Sequence, residues 1–127
     1  MENSNKFSLK KFFRSFGFAL TGMKELIKHE QNAQVHLFIS IGVILAGFLL
    51  HISAAEWCII ALCIGLVFAA ESFNTVIEKL VDHLFPHKHE TARLAKDIAA
   101  GAVLFCALMS AVCGVIILLP KLLDLIL

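Results

Sequence analysis

Glu71, Asn74, Glu78 and Asp82 stand at spacings of 0, 3, 7 and 11 residues. On an α-helix those offsets fall within about 80° of one another, so a helix through this segment carries one polar stripe. Three carboxylates with few cations beside them need protons or divalent cations. Carboxylate oxygens with few protein ligands suit Mg²⁺, especially when it arrives with a nucleotide's phosphates. After a short loop, Arg93, Lys96 and Asp97 bring positive charge toward the same level. A phosphoryl-transfer site needs a metal clamp, a cation for the phosphates and a base near the acceptor hydroxyl, and all three residue types occur here. The plainer alternative is that these charges only hold helices together in an oligomer.

The stripe draws its interest from its setting. An apolar run from Trp57 to Ala70 leads straight into Glu71 and continues as ESFNTVIEKLVDHLF, so a membrane-spanning helix carries charge along its latter half. Facing lipid, each charged group would cost about 2.5 to 3.5 kcal/mol near the bilayer centre, so the stripe must face protein, water or a bound cation. Ala61, Gly65 and Ala69 lie on another side of the same helix and would let a further helix approach closely. A span enclosed on more than one side implies an oligomer.

The other elements follow from periodicity. From Phe7 to Lys28 (about 6–28), Leu9, Phe12, Phe13, Phe16, Leu20, Met23 and Ile27 form one apolar stripe, while Lys10, Arg14, Thr21, Glu25 and Lys28 lie opposite. That pattern predicts an amphipathic helix lying in the membrane interface. The stretch from Gln31 to Ala55 holds no Lys, Arg, Asp or Glu. As a helix it would reach about 37 Å, which gives a first span over about 33–52. Ser53-Ala54-Ala55-Glu56 reads as a turn, and Trp57, at the depth where indole rings commonly sit, begins a second span over about 57–83. Pro86 with His83, His87, Lys88 and His89 makes the next connection. A third helix begins near Thr91 and runs uncharged from Ile98 to Pro120, a span over about 92–119.

Composition agrees with an all-α integral membrane protein. Of 127 residues, 59% are hydrophobic and 17% charged, with mean hydropathy +0.85 and net charge +1. The expectation is one membrane-embedded domain over 1–127 rather than a soluble one, without the basic excess that a nucleic-acid partner needs. Lys6, Lys10, Lys11, Arg14, Lys24 and Lys28 precede the first span, and Lys79, Lys88 and Arg93 flank the second connection. The first connection has no Lys or Arg. The amino terminus and second connection are therefore expected in the cytoplasm and the carboxy terminus outside.

Several further signals carry less. Met-Glu-Asn-Ser-Asn leads into a basic segment without a small-residue cleavage pattern, so no cleaved signal peptide is expected. Cys58, Cys63, Cys106 and Cys113 sit inside apolar runs without a C-x-x-C pair and read as packing residues. GFALTGMK at Gly17 to Lys24 is not a Walker motif, because Met23 separates Gly22 from Lys24 and no Ser or Thr follows. His83, His87 and His89 read as loop histidines, and Pro86 interrupts any helical metal spacing. His36 and His51 are taken to mark the ends of the first span, with no part in the chemistry.

ESFNTVIEKLVD, followed across a basic loop by HETARLAKDIAAGAVL, resembles the prokaryotic diacylglycerol kinase family, small three-span lipid kinases that include undecaprenol kinases. The motif is E-x-x-N-[ST]-x-x-E-x-x-x-D at Glu71, Asn74, Thr75, Glu78 and Asp82, then A-K-D at Ala95, Lys96 and Asp97. RSFGFALTG at Arg14 to Gly22 and HEQNAQVH at His29 to His36 resemble the family's amphipathic helix and its junction with the first span. HEQNAQVH is closer to the branch that includes undecaprenol kinases. Phe73 and Val76 depart from the family pattern, which usually has a medium aliphatic and a small residue there.

The resemblance implies transfer of the γ-phosphate of ATP to a membrane lipid alcohol, diacylglycerol or undecaprenol, in the bacterial cytoplasmic membrane. It also implies a homotrimer with active sites between subunits at the cytoplasmic interface, where spans two and three emerge. By position Glu71 matches the family's catalytic base, and Glu30 and Glu78 its Mg²⁺ carboxylates. Asn74 and Lys96 match polar and phosphate-contacting positions, and Asp97 a neighbouring acidic one. His89, Glu90 and Arg14 or Lys11 match nucleotide contacts. Two other classes fit the residues alone: a small ion-coupled transporter that uses the buried carboxylates, and a non-catalytic membrane assembly subunit.

Overall fold

The computed structural model describes residues 6–127, so Met1–Asn5, on which the signal-peptide expectation partly rests, lie outside it. Among the described residues every regular element is helical: α1 Leu9–His29, α2 Gln31–Leu49, α3 Ala54–Leu84 and α4 Glu90–Ile126. The last three are long and apolar enough to cross a membrane, as the hydropathy pattern predicts.

Ser8 caps α1, its Oγ accepting from the Lys11 N–H at 3.4 Å. Among the described residues nothing buries Phe12, Phe13 and Phe16 of the α1 stripe, which are exposed. The buried residue of α1 is Leu26, about 90° away from the stripe centre, so α1 meets α3 along one flank and keeps its phenylalanines outward.

A single extended residue, Glu30 (φ −104°, ψ 114°), separates α1 from α2. Its N–H donates to the Leu26 carbonyl at 3.0 Å and its own carbonyl accepts from Gln34 at 3.1 Å. The Gln34 side-chain amide then reaches back to the Ile27 and Lys28 carbonyls at 3.1 and 3.2 Å. These carbonyls end a helix and would otherwise lack partners, so Gln34 ties the two helices across Glu30. Ala33, fully buried, lets the junction close.

The connection after α2 is Leu50–Ser53, with His51 in the left-handed region at φ 51°. Ser53-Ala54-Ala55-Glu56 is therefore not the turn that the sequence reading expects but the start of α3. The Ser53 Oγ accepts from the Glu56 N–H at 3.2 Å, and the Glu56 carboxylate accepts from the Ser53 N–H at 2.8 Å. This is a reciprocal cap for which S-x-x-E is the sequence signal. Gly47 is buried against Trp57, which packs beside Phe48 (ring centroids 4.8 Å) and over a core of Ile52, Ile60 and Ile117.

α3 and α4 form the tightest pair. On α3 the buried residues Ile60, Val67, Glu71 and Asn74 follow one seam, apolar first and polar toward the carboxy end. On α4 Ala92, Ala99, Val103 and Ile117 face it. Helix α4 does not stop at Pro120 but runs through it to Ile126. Proline's φ is helical, but inside a helix it removes one N–H donor and crowds the carbonyl four residues back; beside it Lys121 brings its ammonium to 3.5 Å from the Glu56 carboxylate.

Candidate active site

The polar stripe of α3 meets the α1–α2 junction at the end of the bundle where α4 begins. Glu71 is 2% exposed, an extreme position for a carboxylate on a membrane-spanning helix. His36 of α2 brings its Nε2 to 3.4 Å from Glu71 Oε1, yet that oxygen accepts no aligned hydrogen bond. One turn on, Asn74 donates through Nδ2 to Glu78 Oε1 at 3.2 Å, and its own buried Oδ1 also lacks a partner. Two buried acceptors with nothing donating to them are rare and mark a place where a hydroxyl or cation would be satisfied.

Glu30 enters from the junction, its Oε1 lying 3.7 Å from the ammonium of Lys79. Glu30 and Glu78 are the two carboxylates whose charge bears on Glu71. Glu30, Glu78 and the Asn74 Oδ1 offer hard oxygen donors. Among the described residues no three Asp, Glu, His or Cys side chains close into a metal cage. An open, partial oxygen set fits Mg²⁺, which keeps waters and substrate phosphates in most of its six positions.

A second cluster lies about one turn further along the same face of α3. Lys96 Nζ is 2.7 Å from Asp82 Oδ1, and Arg93 bridges Asp97 Oδ2 at 2.9 Å and Glu90 Oε1 at 2.5 Å. Glu78 connects the clusters, since its charge also reaches Lys96. His89 caps α4 through Nδ1, accepting from Ala92 N–H at 3.4 Å, and its ring lies 4.8 Å from that of Phe85. With Asp82 and Lys96 these residues line a depression of about 290 Å³.

The structure thus gathers Glu30, Glu71, Asn74 and Glu78 at one level of the α3 stripe and Asp82, Lys96, Asp97, Glu90 and His89 further along it, where α4 begins. Arg14 and Lys11 are not brought to either cluster: both are exposed on α1, and Arg14 is about 24 Å along the helix axis from Glu30. Sequence reasoning passes over His36 and Gln34. Two ionisable groups in neighbouring spans are the available sign for His36, but nothing in one chain's sequence pairs it with Glu71.

A groove of about 370 Å³ runs between α1 and α3, walled by Ala19, Met23, Leu26, Thr75 and Val76 and reaching Glu30 and Lys79. Val76, one of the departures from the family pattern, therefore shapes this groove, while Phe73 points outward. The Ala61, Gly65 and Ala69 side of α3 is exposed, with no atom near the missing Cβ of Gly65.

Comparison with known proteins bears on this geometry. The family model for prokaryotic diacylglycerol kinase matches residues 17–118. The undecaprenol kinase of Bacillus subtilis is 44% identical over 114 residues, covering 90% of this chain and 93% of that protein. A diacylglycerol kinase of Synechocystis is 39% identical over 112 residues, 87% of this chain and 64% of that protein. One of Pseudomonas aeruginosa is 28% identical over 95 residues, 74% and 76% of the two chains. The matched region runs from α1 to near the end of α4 and takes in both clusters, so this chain, a multi-pass membrane protein, belongs to the prokaryotic diacylglycerol kinase family of lipid kinases.

Proposed function

We propose that this chain transfers the γ-phosphate of ATP to the hydroxyl of undecaprenol at the membrane surface, with Glu71 as the base. The observation that carries the reading is Glu71 itself, buried at the polar end of an apolar seam with Oε1 unpaired, beside Asn74 and Glu78. The acceptor is chosen because the relative named undecaprenol kinase matches at 44% over 93% of its length. The relatives named diacylglycerol kinase support diacylglycerol as the second reading. Either lipid offers one hydroxyl at the interface, and the α1–α3 groove offers apolar walls beside Glu30 for its chain.

In this reading the lipid oxygen bonds to the γ-phosphorus as the bond to the β,γ-bridging oxygen breaks. ADP leaves, and the hydroxyl proton passes to Glu71. Asn74 holds reacting oxygens through its polar amide. Lys96 exchanges Asp82 for phosphate oxygens, and Asp97 holds Arg93 at the same level. His89 and Glu90 contact the nucleotide from the start of α4. Glu30 and Glu78 would hold Mg²⁺, which neutralises charge on the phosphates when bound.

The same reading assigns the assembly. Three copies associate, the exposed small-residue side of α3 receives a neighbouring helix, and Arg14 or Lys11 reaches the nucleotide from a neighbouring copy. α1 lies in the interface with its phenylalanines in lipid. The amino terminus and the α3–α4 connection face the cytoplasm, and the carboxy terminus lies outside the bacterial cytoplasmic membrane.

The test is phosphate transfer from labelled ATP in mixed micelles with Mg²⁺, offering undecaprenol and diacylglycerol in parallel and Glu71→Gln as control. Label in undecaprenyl phosphate that falls by roughly 10² to 10⁴ in the control supports the reading. Label only in the diacylglycerol product moves the acceptor. No label in either lipid, from a folded oligomer, moves the reading to an ion-coupled transporter or an assembly subunit.

A further inference from the structure

Among the described residues His36 is the side chain that approaches the unpaired oxygen of Glu71, and the roles assigned to Glu71, Asn74 and Lys96 leave it without one. Its Nε2 stands 3.4 Å from Glu71 Oε1. Because Glu71 is 2% exposed, water cannot substitute freely for that neighbour. His36 lies six residues after Glu30 on the helix that the Gln34 bridge ties to α1. Glu30 and His36 therefore reach the polar stripe from one rigid segment. The imidazole also borders a cavity of about 80 Å³ lined by Ser40, Cys63, Ile60, Val67 and Ser110.

We infer that His36 is a positioning residue for Glu71: its Nε2–H holds Oε1 and so presents Oε2 to the acceptor hydroxyl. This rests on the reading of Glu71 as the base. A base must meet its proton within hydrogen-bond reach, and contacts that are long without substrate tighten in the reactive complex. A buried carboxylate with one oxygen held has fewer orientations to lose at that moment, which raises turnover rather than substrate affinity. His36 touches neither lipid nor nucleotide in this assignment and acts only through Glu71.

Glutamine and asparagine at position 36 separate the role from bulk structure, because a Gln amide lies near the Nε2 position whereas the shorter Asn amide does not. In the mixed-micelle assay His36→Asn and His36→Leu should each lower kcat by roughly tenfold to a hundredfold, with KM for ATP and lipid within about twofold of wild type. His36→Gln should recover kcat to within about fivefold of wild type. In a Glu71→Asp background the same His36→Asn change should cost less than about threefold, as expected of residues that act as a unit. Wild-type kcat in His36→Asn, equal losses in Gln and Asn, or a loss confined to KM would overturn the inference. A fully active Glu71→Gln would instead overturn the base assignment beneath it. Oligomer size and thermal transition, measured on all variants, identify any that fail to fold, and the polar pair Gln and Asn then decides.

Discussion

The ammonium of Lys96 on α4 lies 2.7 Å from Oδ1 of Asp82 on α3, so the cation matched to phosphate is engaged by a carboxylate of the polar stripe. The pair is partly exposed, and solvent and screening keep such a contact exchangeable. Lys96→Met should raise KM for ATP by at least about tenfold, because a charge-assisted contact to the phosphates is lost. Asp82→Asn keeps the lysine and should move the same KM by less than about threefold. Steady-state kinetics over an ATP series checks both. Equal effects would mean that the pair, not the lysine alone, serves the nucleotide.

Glu30 and Glu78 belong to different segments and converge on Glu71 through charge. If they share Mg²⁺, Glu30→Gln and Glu78→Gln should each raise the half-saturating free Mg²⁺ concentration by about tenfold, with activity partly restored at high Mg²⁺. In the Glu78→Gln variant the amide oxygen can still accept from Asn74 Nδ2, which isolates the loss of charge from the loss of that hydrogen bond. Lys79→Met serves as the contrast, since Lys79 is mostly exposed beside Glu30, and its Mg²⁺ curve should barely move. A Glu78→Gln curve superimposable on wild type would remove Glu78 from the metal.

The helical spans are legible in the sequence because hydrocarbon forces backbone groups to pair within each helix, which leaves long uncharged runs in the chain. The stripe from Glu71 to Asp82 is legible for the converse reason: charge inside such a run has to be used. Pairings between helices are not, since they depend on rotation and depth. His36 reads as an end marker because one span's sequence cannot say which neighbour its imidazole meets. Ser53 and Glu56 differ, as their spacing alone carries the cap, and reading them as a turn misses a local signal. Pro120 misleads in the other direction: proline is a helix-stop signal in sequence, yet α4 continues through it with the apolar run that follows.

Gln34 ties α1 to α2 through two backbone carbonyls, and Glu30 sits inside that tie. Gln34→Leu keeps the size but leaves the Ile27 and Lys28 carbonyls without this donor, a loss of roughly 1 kcal/mol in thermal stability. The larger consequence should be functional. With the junction loosened Glu30 is no longer aimed, so the half-saturating Mg²⁺ should rise about threefold while KM for lipid stays put. A Mg²⁺ titration beside a thermal inactivation curve separates the two effects.

Gly47 tests whether the far end of the bundle is independent of the site. A Cβ there would lie 2.7 Å from Cη2 and 3.0 Å from Cζ2 of Trp57, and 3.0 Å from Cδ1 of Ile52. The indole ring is rigid and already packed beside Phe48, so it can yield only by leaving its place. Gly47→Ala should therefore destabilise by about 1 to 3 kcal/mol through overpacking. Trp57 is the only tryptophan in the chain, so its fluorescence reports the displacement directly, as a shift of the emission maximum. Glu71 lies about 21 Å along α3 from Trp57, and kcat per folded enzyme should stay within about twofold of wild type. In a Trp57→Phe background the smaller ring leaves room for the methyl group, and adding Gly47→Ala there should cost much less than it does in the wild type. If Gly47→Ala costs as much in the Trp57→Phe background as in the wild type, contact with the indole is not the cause of the loss.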